Sequence, residues 1–221
     1  MSSLTEILGF LTGVVNVWLL ARQNIWNWPV GLANNAFYVA VFVAAGLYGD
    51  AGLQLVYITL GVYGWWTWSH HRSHAGAGRE LSVTRTSRAT WMWLIPVTVA
   101  AAFALAFFLR HYTDSTVPGW DGFTTALSLA AIYGQTKKYL ESWWIWIAVD
   151  MIYVPLYIYK HLMLTSGLYF VFFLLCVMGL REWSKSLRTR ESRFKKYSGT
   201  LGTFPGGQQD INEWMREMRD E

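Results

Sequence analysis

The sequence predicts an all-α membrane protein: seven transmembrane helices in a 3+1+3 arrangement, with two parallel-oriented three-helix repeats. Composition is the first observation behind this. Of 221 residues 53% are apolar and only 14% charged, whereas a soluble domain carries about 25% charged residues. Second, the apolar residues gather into runs of about 16–20, long enough to cross a hydrocarbon core of roughly 30 Å as helices. Third, the sequence matches itself. A shift of 115 residues carries Trp28 onto Trp143, Asn35 onto Asp150, Tyr38 onto Tyr153, Gly52 onto Gly167, Gly64 onto Gly179 and Trp68 onto Trp183. No gap is needed from residue 26 to 68, and roughly a quarter of those positions are identical. Such self-similarity marks a duplicated unit.

Taken in order, the spans are 4–20, 28–46, 51–68, 91–109, 121–136, 143–160 and 164–181. None alternates as barrel strands do, so each is read as a helix. The span at 4–20 has no basic segment before it and no small-residue cleavage site after it, which argues against a signal peptide. Spans one to three make the first repeat (1–68) and spans five to seven the second (120–183). The stretch 69–119 holds an inner linker, the fourth span and an outer loop with turn chemistry at Pro118-Gly119. Because three spans are an odd number, the unpartnered fourth must return the chain across the membrane. The repeats then share one orientation, related by an axis along the membrane normal. After Trp183 the chain turns polar (184–221), a cytoplasmic tail with a short helix expected near 211–218.

Basic residues set the orientation. With the N-terminus outside and the C-terminus inside, sixteen of the 18 Lys and Arg fall on the inner side, leaving only Arg110 and Lys160 outside. The pI near 9.2 therefore reports topology and requires no nucleic-acid partner. A single cysteine, Cys176, excludes a disulfide framework, and no residue cluster calls for a metal or cofactor.

Asp150 is the one ionisable side chain well inside a span. A carboxylate there costs roughly 2.5–3.5 kcal/mol on permissive scales, so it faces a cavity or a partner. Its shifted mate Asn35 puts a second polar group at the same depth, and a duplicated unit of this kind is expected to bind substrate near the midplane between its copies. The candidate site takes Trp28 and Asn35 from the second span and Gln54 and Tyr57 from the third. It takes Trp146, Asp150 and Tyr153 from the sixth and Trp183 from the seventh. Bland roles compete for other residues. Trp26, Trp91 and Trp120 suit interfacial anchors. Asn34 suits interhelical hydrogen bonding, and Gly52, Gly64, Gly167 and Gly179 suit close helix packing.

The motifs WNWPVGLANNAFY (26–38), LYGDAGLQLVY (47–57) and YGWWTW (63–68), with WWIWIAVDMIYVPLYIYKHLMLTSGLYFVFFLLCVMGLREW (143–183), resemble those of the PnuC vitamin transporters. The resemblance spans nearly all of the apolar region. It implies a SWEET-like fold in a bacterial cytoplasmic membrane, a homo-oligomer such as a trimer, and no cofactor. It also implies Gln135 as a substrate contact and nicotinamide riboside as substrate. That molecule would enter by facilitated diffusion, without a coupling ion, and be trapped by cytoplasmic phosphorylation. Thiamine and riboflavin transporters share much of the pattern and are the alternatives. An intramembrane enzyme is disfavoured because none of the five histidines is central in a span. A retinal receptor would need a lysine within 164–180, which has none.

Overall fold

A tryptophan ring laid on a helical glycine recurs twice in this structure and fixes how the helices meet. The computed structural model describes residues 3–44, 48–74, 81–113, 117–159 and 163–200. Among them are seven helices: α1 (Ser3–Ala21), α2 (Asn27–Ala44), α3 (Tyr48–His74), α4 (Arg88–Tyr112), α5 (Pro118–Thr136), α6 (Ser142–Tyr159) and α7 (Met163–Thr200). The fold is all-α, and the seven expected spans each fall on one helix. Residues 1–183 make one compact unit and 184–221 a second.

Two helices outrun their apolar spans. α3 continues to His74, into the stretch read as linker. α7 continues to Thr200, where a polar tail was expected from residue 184. The tail is rich in Lys, Arg and Ser and contains no glycine or proline between Gly179 and Gly199, so nothing in its local chemistry ends the helix. The short helix expected near 211–218 lies outside the described residues.

α1 packs on α2, α2 on α3, α4 on α5, α5 on α6, and α3 on α5. The 115-residue shift is visible in the contacts themselves. A Cβ on Gly64 would fall 2.2 Å from the Trp28 ring, and one on Gly179 would fall 2.5 Å from the same atom of Trp143. Trp28 meets Trp68 edge-on at 5.4 Å and 87°, and Trp143 meets Trp183 at 5.4 Å and 89°. Two glycines thus give the close approach expected of all four. Gly52 and Gly167 have nothing within 4 Å of a built Cβ, so close packing is not their role among the described residues.

The same register governs the helix ends. Gln23 and Lys138 stand 115 apart and, among the described residues, are the two non-glycine residues with positive φ, at 55° and 53°. Each follows a helix in a Schellman-type turn. Asn24 N–H donates to Leu19 O and Gln23 N–H to Leu20 O, just as Tyr139 N–H donates to Gly134 O and Lys138 N–H to Gln135 O. The second of these corners is also held by the segment before α4. Thr84 N–H donates to Lys138 O, and Leu140 N–H donates to Thr84 O. The Glu141 carboxylate accepts from both Thr86 N–H and Thr86 Oγ1 at 2.8 Å.

α4 turns large apolar side chains outward, with Met92 78%, Phe103 74% and Phe107 61% exposed. A soluble monomer rarely shows a continuous surface of this kind. α4 and residues 165–192 of α7 are each long and apolar enough to cross a membrane. Trp26 and Trp120, read as interfacial anchors, are 64% and 53% exposed.

Candidate functional site

The helices enclose a cavity of about 320 Å³, bounded by α1, α2, α3, α5, α6 and α7. That lies at the small end of ligand-pocket volumes. Trp28, Asn35, Tyr57, Gln135, Trp146, Asp150 and Tyr153 line it together. Two of the predicted residues are not among its walls. Gln54 sits about one turn before Tyr57 on α3, beyond the cavity's edge. Trp183 lies seven residues past Cys176 on α7, about 10 Å along the helix. It is fully buried behind Trp143.

Asp150 is held 3% exposed on α6 and, among the described residues, is the one acidic or basic side chain in the lining. Cys176 of α7 hydrogen-bonds to its carboxylate. Its other oxygen, Oδ2, has no partner within the protein. Three further enclosed polar atoms share that condition: Asn16 Oδ1, Trp28 Nε1 and Trp143 Nε1. All four residues line the same cavity. An unpaired buried polar atom costs about 1–3 kcal/mol, and the cavity wall carries two acceptors and two donors whose hydrogen-bonding capacity the protein leaves unused. Among the described residues, no Lys, Arg or His joins them in the lining.

Around this polar set stand aromatic walls. Tyr153, Tyr157 and Tyr169 pack mutually with ring centroids 4.8–5.6 Å apart. Thr124 Oγ1 bonds the Tyr153 hydroxyl at 2.8 Å, and Tyr57 pairs with Ser128. Asn34, one residue from Asn35, turns to α1 instead. Its Nδ2 donates to Thr12 Oγ1 at 2.5 Å and to Gly9 O at 3.1 Å.

At the end of the bundle where α1 and α5 stop, the cavity is floored by two matched bonds. Trp68 Nε1 donates to Gln135 O and Trp183 Nε1 donates to Leu20 O, each at 3.3 Å. Leu20 and Gln135 are themselves 115 residues apart, as are Trp68 and Trp183. Lys138 Nζ lies 4.3 Å over the Trp68 ring and donates to Gln23 Oε1 at 3.2 Å. Lys137 Nζ donates to the Tyr63 hydroxyl at 2.6 Å.

Asn16, Asn27 and Ser128 also line the cavity and were not singled out from sequence. Asn16 is an amide inside an apolar span, a weaker signal than the mid-span carboxylate of Asp150.

The helices thus surround an aromatic and polar cavity sized for a small molecule, and comparison with known proteins bears on its use. A family model described as Nicotinamide mononucleotide transporter matches residues 3–185, and the chain belongs to that family. It is 26% identical to the riboflavin/roseoflavin transporter RibM of Streptomyces davaonensis over 190 residues, covering 86% of this chain and 88% of that protein. It is 24% identical to the nicotinamide riboside transporter PnuC of Escherichia coli K12 over 210 residues, covering 85% and 88%. Among solved structures it is similar in fold to the vitamin B3 transporter PnuC, with a TM-score of 0.66 and 22% identity over 85% of this chain and 83% of that one. The chain is thus one of a family of vitamin transporters.

Proposed function

We propose that this protein carries nicotinamide riboside across the bacterial cytoplasmic membrane by facilitated diffusion. One observation carries the reading: among the described residues, the small cavity has Asp150 as its one acidic or basic side chain and is walled by tryptophan and tyrosine. Nicotinamide riboside is a flat pyridinium cation bearing a carboxamide and a ribose. Aromatic faces hold such a cation for about 0.5–2 kcal/mol, and the unpaired acceptors and donors match its amide and hydroxyl groups. The family description names the phosphorylated relative, nicotinamide mononucleotide. A phosphate dianion entering this cavity would meet Asp150 and no cation. The RibM likeness supports riboflavin as a second reading, but about 320 Å³ suits one ring and one sugar better than a tricyclic ring system.

In this reading the chain is a SWEET-like bundle of three, one and three helices, with the repeats at 1–68 and 120–183 parallel and the N-terminus outside. Its basic residues then lie on the cytoplasmic side. Uptake is completed by a cytoplasmic kinase, since a uniporter alone cannot concentrate its substrate. The test is a titration of purified protein followed by intrinsic tryptophan fluorescence, with Trp28, Trp143 and Trp146 at the cavity as reporters. Nicotinamide riboside, its mononucleotide, thiamine and riboflavin are compared. The riboside is expected to bind at least about tenfold more tightly than the mononucleotide, roughly 1.4 kcal/mol. Equal or tighter binding of the mononucleotide refutes the assignment.

A further inference from the structure

Among the residues lining the cavity is an amide to which no role has been given. Asn16 lies mid-helix on α1 and lines the cavity. Its Oδ1 is enclosed and has no partner in the protein. Gly31 of α2, also in the lining, is what leaves it room. A Cβ there would fall 3.1 Å from Asn16 Nδ2 and 3.2 Å from Oδ1, tighter than ordinary contact. The positions 115 residues on reverse this pairing of sizes, with Ala131 in place of Asn16 and Trp146 in place of Gly31. Ala131 is fully buried. One side of the cavity is therefore filled by an indole, and the other by an amide seated against a glycine.

We infer that Asn16 is a specificity-determining residue whose Oδ1, held in the cavity wall by the notch at Gly31, accepts a hydrogen bond from a neutral N–H or O–H group of the substrate. The assignment rests on the transport reading above. It adds a second polar pole to the site, one that selects donors without selecting charge. An acceptor enclosed in a water-poor cavity rejects a ligand that offers it another acceptor, because both groups are then left unpaired.

The test uses the full chain and two probes, nicotinamide riboside and riboflavin, with affinity and thermal unfolding measured on the same samples. Asn16→Leu keeps the volume and removes the acceptor. Affinity for nicotinamide riboside is expected to fall roughly 3- to 10-fold, as for loss of one neutral hydrogen bond, with the melting temperature held. Gly31→Ala leaves every polar atom in place but crowds the amide, and is expected to weaken binding in the same direction. Folded Asn16→Leu protein with wild-type affinity overturns the assignment. If Asn16→Leu does not fold, Gly31→Ala decides, and unchanged affinity there overturns it. If the wild type binds riboflavin and not the riboside, the transport reading fails. The assignment then stands or falls on whether Asn16→Leu weakens riboflavin. Binding of neither probe by the wild type overturns both.

Discussion

Replacing Gly179 by alanine should unsettle the fold at a place where replacing Gly167, on the same helix, should not. A Cβ at residue 179 would lie 2.5, 2.6 and 2.7 Å from three ring atoms of Trp143. Carbon atoms in contact prefer about 3.5–4.0 Å, so the indole would have to retreat by roughly 1 Å. It has nowhere to go: Trp143 is 0% exposed, and its ring is pinned edge-on against Trp183, which is also 0% exposed. Overpacking of this kind costs about 1–3 kcal/mol. At Gly167 nothing stands within 4 Å. Both variants gain the same helix propensity, about 0.5–1 kcal/mol, so the gap between them isolates the overpacking. Thermal unfolding in detergent reads it at about 2–4 °C per kcal/mol for a chain of this size. Since Trp143 lines the cavity, Gly179→Ala should also weaken ligand binding. Equal melting temperatures for the two variants would refute the claim that Trp143 is immobile.

Three further outcomes are expected. Trp68→Phe and Trp183→Phe each remove an indole N–H from a backbone carbonyl at 3.3 Å, and each should cost about 1–3 kcal/mol in unfolding experiments. Costs differing by more than about 1.5 kcal/mol would show that the two bonds, though matched in length, are not equivalent. Asp150→Asn should fold, because it removes a desolvated charge, yet bind nicotinamide riboside about 1–3 kcal/mol less tightly. Asp150→Leu should bind worse still, and normal affinity in stable Asp150→Asn protein would take this carboxylate out of the site. A cysteine at Arg85, with the native Cys176 buried, should react with an impermeant reagent only from the cytoplasmic face. Labelling in intact cells would reverse the topology.

Much of this was legible from sequence because a duplication writes each important position twice. Asp150 alone is an expensive carboxylate, but Asp150 matched with Asn35 across the register marks one place twice, and both line the cavity. Trp28 and Gly64 shifted onto Trp143 and Gly179 announced a packing motif before its contacts were visible. Where the register carried no matching chemistry, the reading ran out. Asn16 falls on Ala131, so nothing separated it from an amide that merely bonds a neighbouring helix, as Asn34 does. Gln54 shares a helix face with Tyr57, but periodicity gives direction and not depth, and the cavity stops short of it. The same limit applies to Trp183, which faces inward two turns too far along α7. The helical run to Thr200 was missed because polarity was taken as the end of structure. Polarity ends an apolar face, whereas only glycine, proline or a competing cap ends a helix.

The unlike side chains at matched positions have a consequence for how a guest can lie. A cavity with two identical halves offers every ligand a second pose, rotated half a turn about the axis and equal in energy. Here that turn would exchange Asn35 with Asp150 and Gly31 with Trp146, moving a carboxyl group to the other wall and putting an indole where Gly31 now meets the Asn16 amide. The two poses are no longer equal, and the scaffold keeps its symmetry while the binding mode loses it. A single pose means that the same edge of the guest always meets the same wall.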